Sequence, residues 1–176
     1  EISALKDIGP VMVQMAKEAK VPVCVHLDHG ETLSYLQKAL DIGFTSIMYD
    51  GSKLSYEENA ANTKKAVEMA KRTGASVEAE IGVMGGGEAG SKTASEAEDL
   101  YTDPELAKRF VEETGIDALA ASFGTAHGIY KVKPKLDFER IAKIKEMTKV
   151  PLVMHGGSGV SPEDFTTAIN KGIRKI

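Results

Sequence analysis

A chain of 176 residues with 42% apolar content has material for one sizeable core, and that length predicts a single domain over residues 1–176, whole or in part. The net charge of −4 comes with no basic stripe, which argues against nucleic acid or an anionic membrane as partner. No apolar run reaches the roughly 18 residues of a membrane span, no signal-peptide pattern opens the chain, and the single cysteine has no disulfide partner, so a cytoplasmic setting is expected.

Gly9-Pro10 opens a predicted helix in which Val11, Met12, Met15, Ala16 and Ala19 recur at helical spacing. The apolar run Val21-Pro22-Val23-Cys24-Val25 reads as a buried parallel strand, with Cys24 a small core residue, and delivers His26-Leu27-Asp28-His29-Gly30 at its carboxyl end. Thr32 caps a helix with Leu33, Leu36, Ala39 and Leu40 on one face, closed by Gly43. Residues 45–50 form a short strand ending on Gly51-Ser52. Ser55-Tyr56-Glu57-Glu58 has the form of a capping box and starts a helix to about Arg72. From Ser76 to Gly82 glutamates alternate with small or apolar residues, so a parallel sheet would bury either Glu78 and Glu80 or their neighbours. Carboxylates buried in such a row need partners or a metal.

Residues 84–101 open on Met84-Gly85-Gly86-Gly87-Glu88, lack any period and are too long for an ordinary connection, which predicts a mobile lid with glycine hinges. Asp103-Pro104 begins a helix to Thr114-Gly115, and Asp117 to Phe123 is a strand ending on Gly124-Thr125-Ala126-His127-Gly128. A helix from Asp137 to Met147 leads into the strand Val150 to His155 and then Gly156-Gly157-Ser158-Gly159. Ser161-Pro162-Glu163 starts the last helix, and residues 173–176 resemble the beginning of one more strand. The strict alternation predicts right-handed βαβ units and a parallel sheet. Five strands and a fragment fall short of an eight-stranded barrel of about 250 residues, so a barrel segment is the expected fold. The gapless match of Val21–His26 with Val150–His155 agrees with related strands.

His29, His127 and His155 stand at the predicted carboxyl ends of three strands, which share one mouth in a barrel. Three imidazoles with an open fourth position form the donor set of a catalytic zinc site. Asp28, beside such an ion, can move a proton. His26 lies deeper and reads as a packed, hydrogen-bonded histidine. The bare backbone N–H groups of the loop from Gly156 to Ser158, just ahead of a helix, suit a phosphate. Metal and phosphate together point to a small phosphorylated substrate with a carbonyl to polarise. A Schiff-base enzyme would need a lysine inside the mouth, and the strand cores carry none; Lys53 and Lys92 lie in loops.

The motifs HLDHG, YDGS, EAEIG, GTAHG and HGGSG, in this order and spacing, resemble class II, metal-dependent fructose-bisphosphate aldolases and their tagatose-bisphosphate relatives, from the first helix onward. The resemblance implies a TIM barrel, represented by about strands 3 to 7 and the start of strand 8, with two strands expected ahead of Glu1 and the eighth continuing past Ile176. It implies a homodimer or homotetramer that reversibly cleaves fructose 1,6-bisphosphate to dihydroxyacetone phosphate and glyceraldehyde 3-phosphate in glycolysis and gluconeogenesis. By position, His29, His127 and His155 become zinc ligands, Asp28 the acid/base at the aldehyde oxygen, and Glu88 the lid base that removes the carbon-bound proton. Asp50 and Glu80 match residues that hold a second divalent ion or an alternate zinc position. Gly128, Gly156, Gly157 and Ser158 match contacts to dihydroxyacetone phosphate near a monovalent Na⁺ or K⁺ site. Tagatose bisphosphate as substrate, or a barrel fragment without activity, are the alternatives.

Overall fold

The short apolar runs and the helical periods of the sequence become an alternating α/β chain. The structure is a computed structural model and describes residues 5–82, 101–126 and 134–176. Along them run α1 (Leu5–Glu18), β1 (His26–Gly30), α2 (Leu33–Ile42), β2 (Ser46–Tyr49), α3 (Tyr56–Lys71) and β3 (Ser76–Ile81). Then come α4 (Pro104–Thr114), β4 (Ala118–Ala121), α5 (Phe138–Thr148), β5 (Leu152–Val153), α6 (Pro162–Lys171) and β6 (Ile173–Lys175). Alternation with parallel pairing is the predicted class, a segment of a (β/α) barrel. Glu88 and most of the predicted lid, together with His127 and Gly128, lie outside the described residues. Among the described residues no helix is long and apolar enough to cross a membrane.

The chain divides into two compact units, Glu1–Ala79 with Thr114–Asp117, and Glu80–Glu113 with Ala118–Ile176. In the first, β1, β2 and β3 lie side by side in chain order, and Ser46 to Tyr49 pair in parallel with Ser76 to Ala79 without a break. Leu36, Leu40, Ile47, Met48 and Val77 fill its core. The cap signals are realised: Thr32 accepts from the Tyr35 N–H, Gly43 closes α2 in the left-handed region at φ 107°, and Ser55 and Glu58 make the reciprocal capping box. In the second unit the end of β3 is followed by β4, β5 and β6, again adjacent in order. Leu119 pairs with Leu152 and Ala120 with Val153, while Phe110, Phe123, Ile141, Ile144 and Leu152 are buried beneath. Asp137 and Ser161 cap α5 and α6 through the Arg140 and Asp164 N–H groups.

Three expectations change. The strand is the pentapeptide His26–Gly30 itself, and the apolar run before it is irregular, with Val21 at 66% and Val23 at 47% exposure. Cys24 is therefore exposed, its sulfur accepting from the Thr45 hydroxyl at 3.6 Å, and is not a core residue. An apolar run is buried only where neighbouring elements cover it, and among the described residues β1, which continues this run, pairs with β2 alone. Helix α1 begins at Leu5, ahead of Gly9-Pro10, so the proline sits inside it. Gly9 and Val13 are the buried residues of α1, so burial holds the turn that the proline weakens, while Val11, Met12 and Met15 stay exposed. The β3 alternation also fails to pick a face: Val77 to Ile81 are all buried, both glutamates included.

Candidate metal and catalytic site

β1 carries the chemistry in an irregular register. Leu27 pairs with Ile47 but Gly30 with Tyr49, so three steps on β1 face two on β2 and one residue bulges. His29 occupies the bulge at φ 47°, a left-handed backbone that a β-carbon disfavours by roughly 1–2 kcal/mol. That strain turns the imidazole toward β2, where His29 Nδ1 lies 2.8 Å from Asp50 Oδ2. Asp50 is held in turn by its other oxygen, Oδ1, which accepts from the Ser52 N–H at 3.1 Å and from the Ser52 hydroxyl at 2.6 Å. The bond to His29 is the largest influence on Asp50 and holds its carboxyl well below the usual carboxylate range; burial opposes this, and Ser52 adds to it. An ionised carboxylate on Nδ1 orients the ring and raises its basicity, as such carboxylates do for imidazoles that ligate metals.

Asp28, one residue before, is exposed, with Oδ1 4.0 Å from His26 Nε2. His26 is the packed histidine the sequence suggests: Nδ1 meets the Ser46 hydroxyl at 2.8 Å, and Nε2 lies 3.7 Å from the buried Glu78 carboxylate.

In the second unit, Glu80 is 1% exposed near the carboxyl end of β3. His155 is buried two residues beyond β5, after Met154 donates its N–H to the Lys175 carbonyl at 3.0 Å. Gly156 then turns the chain at φ 67°, and a β-carbon there would lie 2.5 Å from the Ala126 carbonyl oxygen. The Val160 N–H closes the loop on the Gly157 carbonyl at 3.0 Å, leaving Ser158 exposed just ahead of α6. Glu163 and Asp164 occupy the first turn of α6, so loop N–H groups suit an anion better than the helix end does.

The structure thus joins His29 on β1 to Asp50 just beyond β2, with Asp28 next to His29 on β1. Glu80, His155 and the glycine loop stand at the carboxyl ends of strands in the second unit. Sequence reasoning missed the bulge at His29 and the clamp of Ser52 on Asp50. No glycine or asparagine marks the bulge; the YDGS motif did carry the second, as an Asp with a serine two residues on, the pattern of an Asx turn.

A family model described as fructose-bisphosphate aldolase class-II matches residues 2–176. The chain is 42% identical over 177 residues to the uncharacterized protein YdjI of Escherichia coli K12, an alignment covering 99% of this chain and 62% of that protein. It resembles the crystal structure of the YdjI aldolase with a TM-score of 0.87 at 40% identity, covering 99% of this chain and 60% of the other. A putative fructose-1,6-biphosphate aldolase from Coccidioides immitis gives 0.82 at 36% identity, covering 97% of this chain and 62% of that one. The fructose-bisphosphate aldolase of Campylobacter jejuni gives 0.73 at 29% identity, covering 95% and 55%. The chain spans less than two thirds of the length of each of these relatives.

Proposed function

This chain belongs to the class-II fructose-bisphosphate aldolase family, and on that premise we propose that the protein is a metal-dependent aldehyde-lyase acting on fructose 1,6-bisphosphate. The reaction is its reversible cleavage to dihydroxyacetone phosphate and glyceraldehyde 3-phosphate, a step of cytoplasmic glycolysis and gluconeogenesis run by a homodimer or homotetramer. The names carried by the Coccidioides and Campylobacter neighbours support this sugar; the YdjI likeness supports an aldolase without naming one.

The single observation carrying the reading is His29, on a left-handed backbone, with its ring buttressed at Nδ1 by an ionised Asp50. Chemically this fits zinc, which takes neutral imidazole nitrogen and favours rings oriented by a carboxylate. His29, His127 and His155 would hold the ion, and bound there it would supply the positive charge that stabilises negative charge developing on the ketone oxygen. Asp50 and Glu80 are the proposed holders of a second divalent ion or of an alternate zinc position. Because Asp50 already uses one oxygen on His29 and the other on Ser52, its orienting role is the better supported of the two.

The chain's own residues do the rest. In the cleavage direction Asp28 takes the proton from the hydroxyl that becomes the aldehyde, the carbon–carbon bond breaks, and Glu88 returns a proton to the carbon left on the ketone fragment. Gly128 and the loop from Gly156 to Ser158 would hold the phosphate of dihydroxyacetone phosphate, with a monovalent cation nearby. Exposure of Asp28 on β1 supports its access to substrate.

The test is release of dihydroxyacetone phosphate from fructose and from tagatose 1,6-bisphosphate, before and after chelation and after zinc is restored. Cleavage lost on chelation and regained with zinc is expected. Full activity in the metal-free protein, or a covalent adduct trapped by borohydride, would overturn the reading.

A further inference from the structure

Asp50 links His29 to a second feature of the same strand ends. Beyond its clamp on Ser52, the Leu54 N–H donates to the Gly51 carbonyl at 2.9 Å and closes a turn that carries Lys53. The turn has little room to shift, since a β-carbon at Gly51 would lie 2.3 Å from Asn59 Oδ1. Lys53 Nζ donates to Glu31 Oε1 at 2.7 Å, and Glu31 is the residue directly after β1. The carboxyl ends of β1 and β2 are therefore bridged twice, by His29–Asp50 and by Glu31–Lys53. In the segments that leave these two strands, residues 30–32 and 50–55, Lys53 is the one lysine or arginine.

A pair whose side chains are 82% and 61% exposed contributes little to stability, so the lysine is easily released to another anion. The hydrogen bond to Glu31 and the charge of that carboxylate, with Asp50 adding, raise the lysine's hold on its proton. Two residues lie between Asp28 and Glu31, and three steps of chain span at most about 11 Å. A short aldehyde chain and the four methylenes of a lysine together bridge such a gap.

Resting on the reading in which Asp28 serves the aldehyde oxygen, we propose that Lys53 selects aldehydes whose far end carries an anionic group, phosphate or carboxylate. Glu31 holds the ammonium in place until that group displaces it. The exchange swaps one charge-assisted hydrogen bond for another and leaves Glu31 to water, so the site favours an anion over a neutral end.

The experiment measures kcat/KM for aldol addition of dihydroxyacetone phosphate, by the metal-loaded protein in its natural assembly, to three short aldehydes: one ending in phosphate, one in carboxylate and one in a hydroxyl. The readout is the ratio of anionic to neutral acceptor. Lys53→Met is expected to lower that ratio about 10- to 100-fold, the worth of one charge-assisted hydrogen bond, for whichever anion the site takes. Lys53→Arg should keep it within about threefold, and Glu31→Gln should leave it unchanged or raise it. A ratio unaltered in Lys53→Met overturns the proposal, as does a Glu31→Gln variant that loses it equally, because the pair would then be only a staple between loops. Metal-dependent exchange of the carbon-bound proton of dihydroxyacetone phosphate in the wild-type protein separates the two readings: its absence defeats the aldolase reading, whereas its presence with an unaltered ratio defeats the role of Lys53.

Discussion

The end of β1 and the end of β5 are shaped by opposite means. At β1 the work is done by side chains: a bulge strains His29, Asp50 fixes its ring and Ser52 fixes Asp50. At β5 it is done by backbone: Gly156 turns at positive φ with no space for a β-carbon, and the Gly157 carbonyl closes the loop. The first suits a small cation, whose ligand must be aimed; the second suits an anion, which needs bare N–H groups. Substitutions at the two ends should accordingly fail in different ways.

The largest effect is expected at Asp28, an exposed residue whose carboxylate lies 4.0 Å from His26 Nε2. Asp28→Ala should leave zinc bound while kcat drops by roughly 10²-fold or more, followed by metal analysis beside steady-state kinetics. Metal lost with an unchanged rate per bound ion would make Asp28 part of the ligand-aiming apparatus instead. Next comes Asp50→Asn, which removes the ionised partner of His29 Nδ1 and should weaken zinc about 10- to 100-fold in a competition titration with a chelator.

The same substitution has an acid signature. A carboxyl held below its ordinary value of 3.8 adds stability that is fully present above that value and lost as pH falls through the lower one. Unfolding midpoints of Asp50→Asn should therefore respond less to acid below about pH 4 than those of the wild type. Gly156→Ala attacks the other end: the clash with Ala126 and the strained φ should cost about 1–3 kcal/mol of stability and raise KM for phosphorylated substrate, read by denaturant titration and kinetics, with zinc affinity much less affected than in Asp50→Asn. Smallest is Cys24→Ser, an exposed position, where the change should stay within about 0.5 kcal/mol.

Much of this architecture is readable from residues alone where a local rule has one answer. Thr32, Ser55, Asp137 and Ser161 cap helices because their side chains meet backbone N–H groups whatever the rest of the chain does. Val21 to Val25 misled because an apolar run records what could be buried, whereas burial depends on neighbours across the sheet. The β3 glutamates misled similarly: alternation assumes one wet face, and both faces of β3 are covered. Within the site, His29 and Asp50 were legible as residue types at strand ends, but their bond was not. It depends on one extra residue in the β1 register, and nothing in His-Leu-Asp-His-Gly announces a left-handed histidine.

X-ray absorption at the zinc edge of the zinc-loaded protein tests the central claim most directly, namely that His29, oriented by Asp50, is one of three imidazole ligands. The account predicts about one zinc per chain, with nitrogen donors near 2.0–2.1 Å and an imidazole signature that loses one ring in His29→Ala. No retained zinc, or a zinc shell that His29→Ala leaves unchanged, would contradict it.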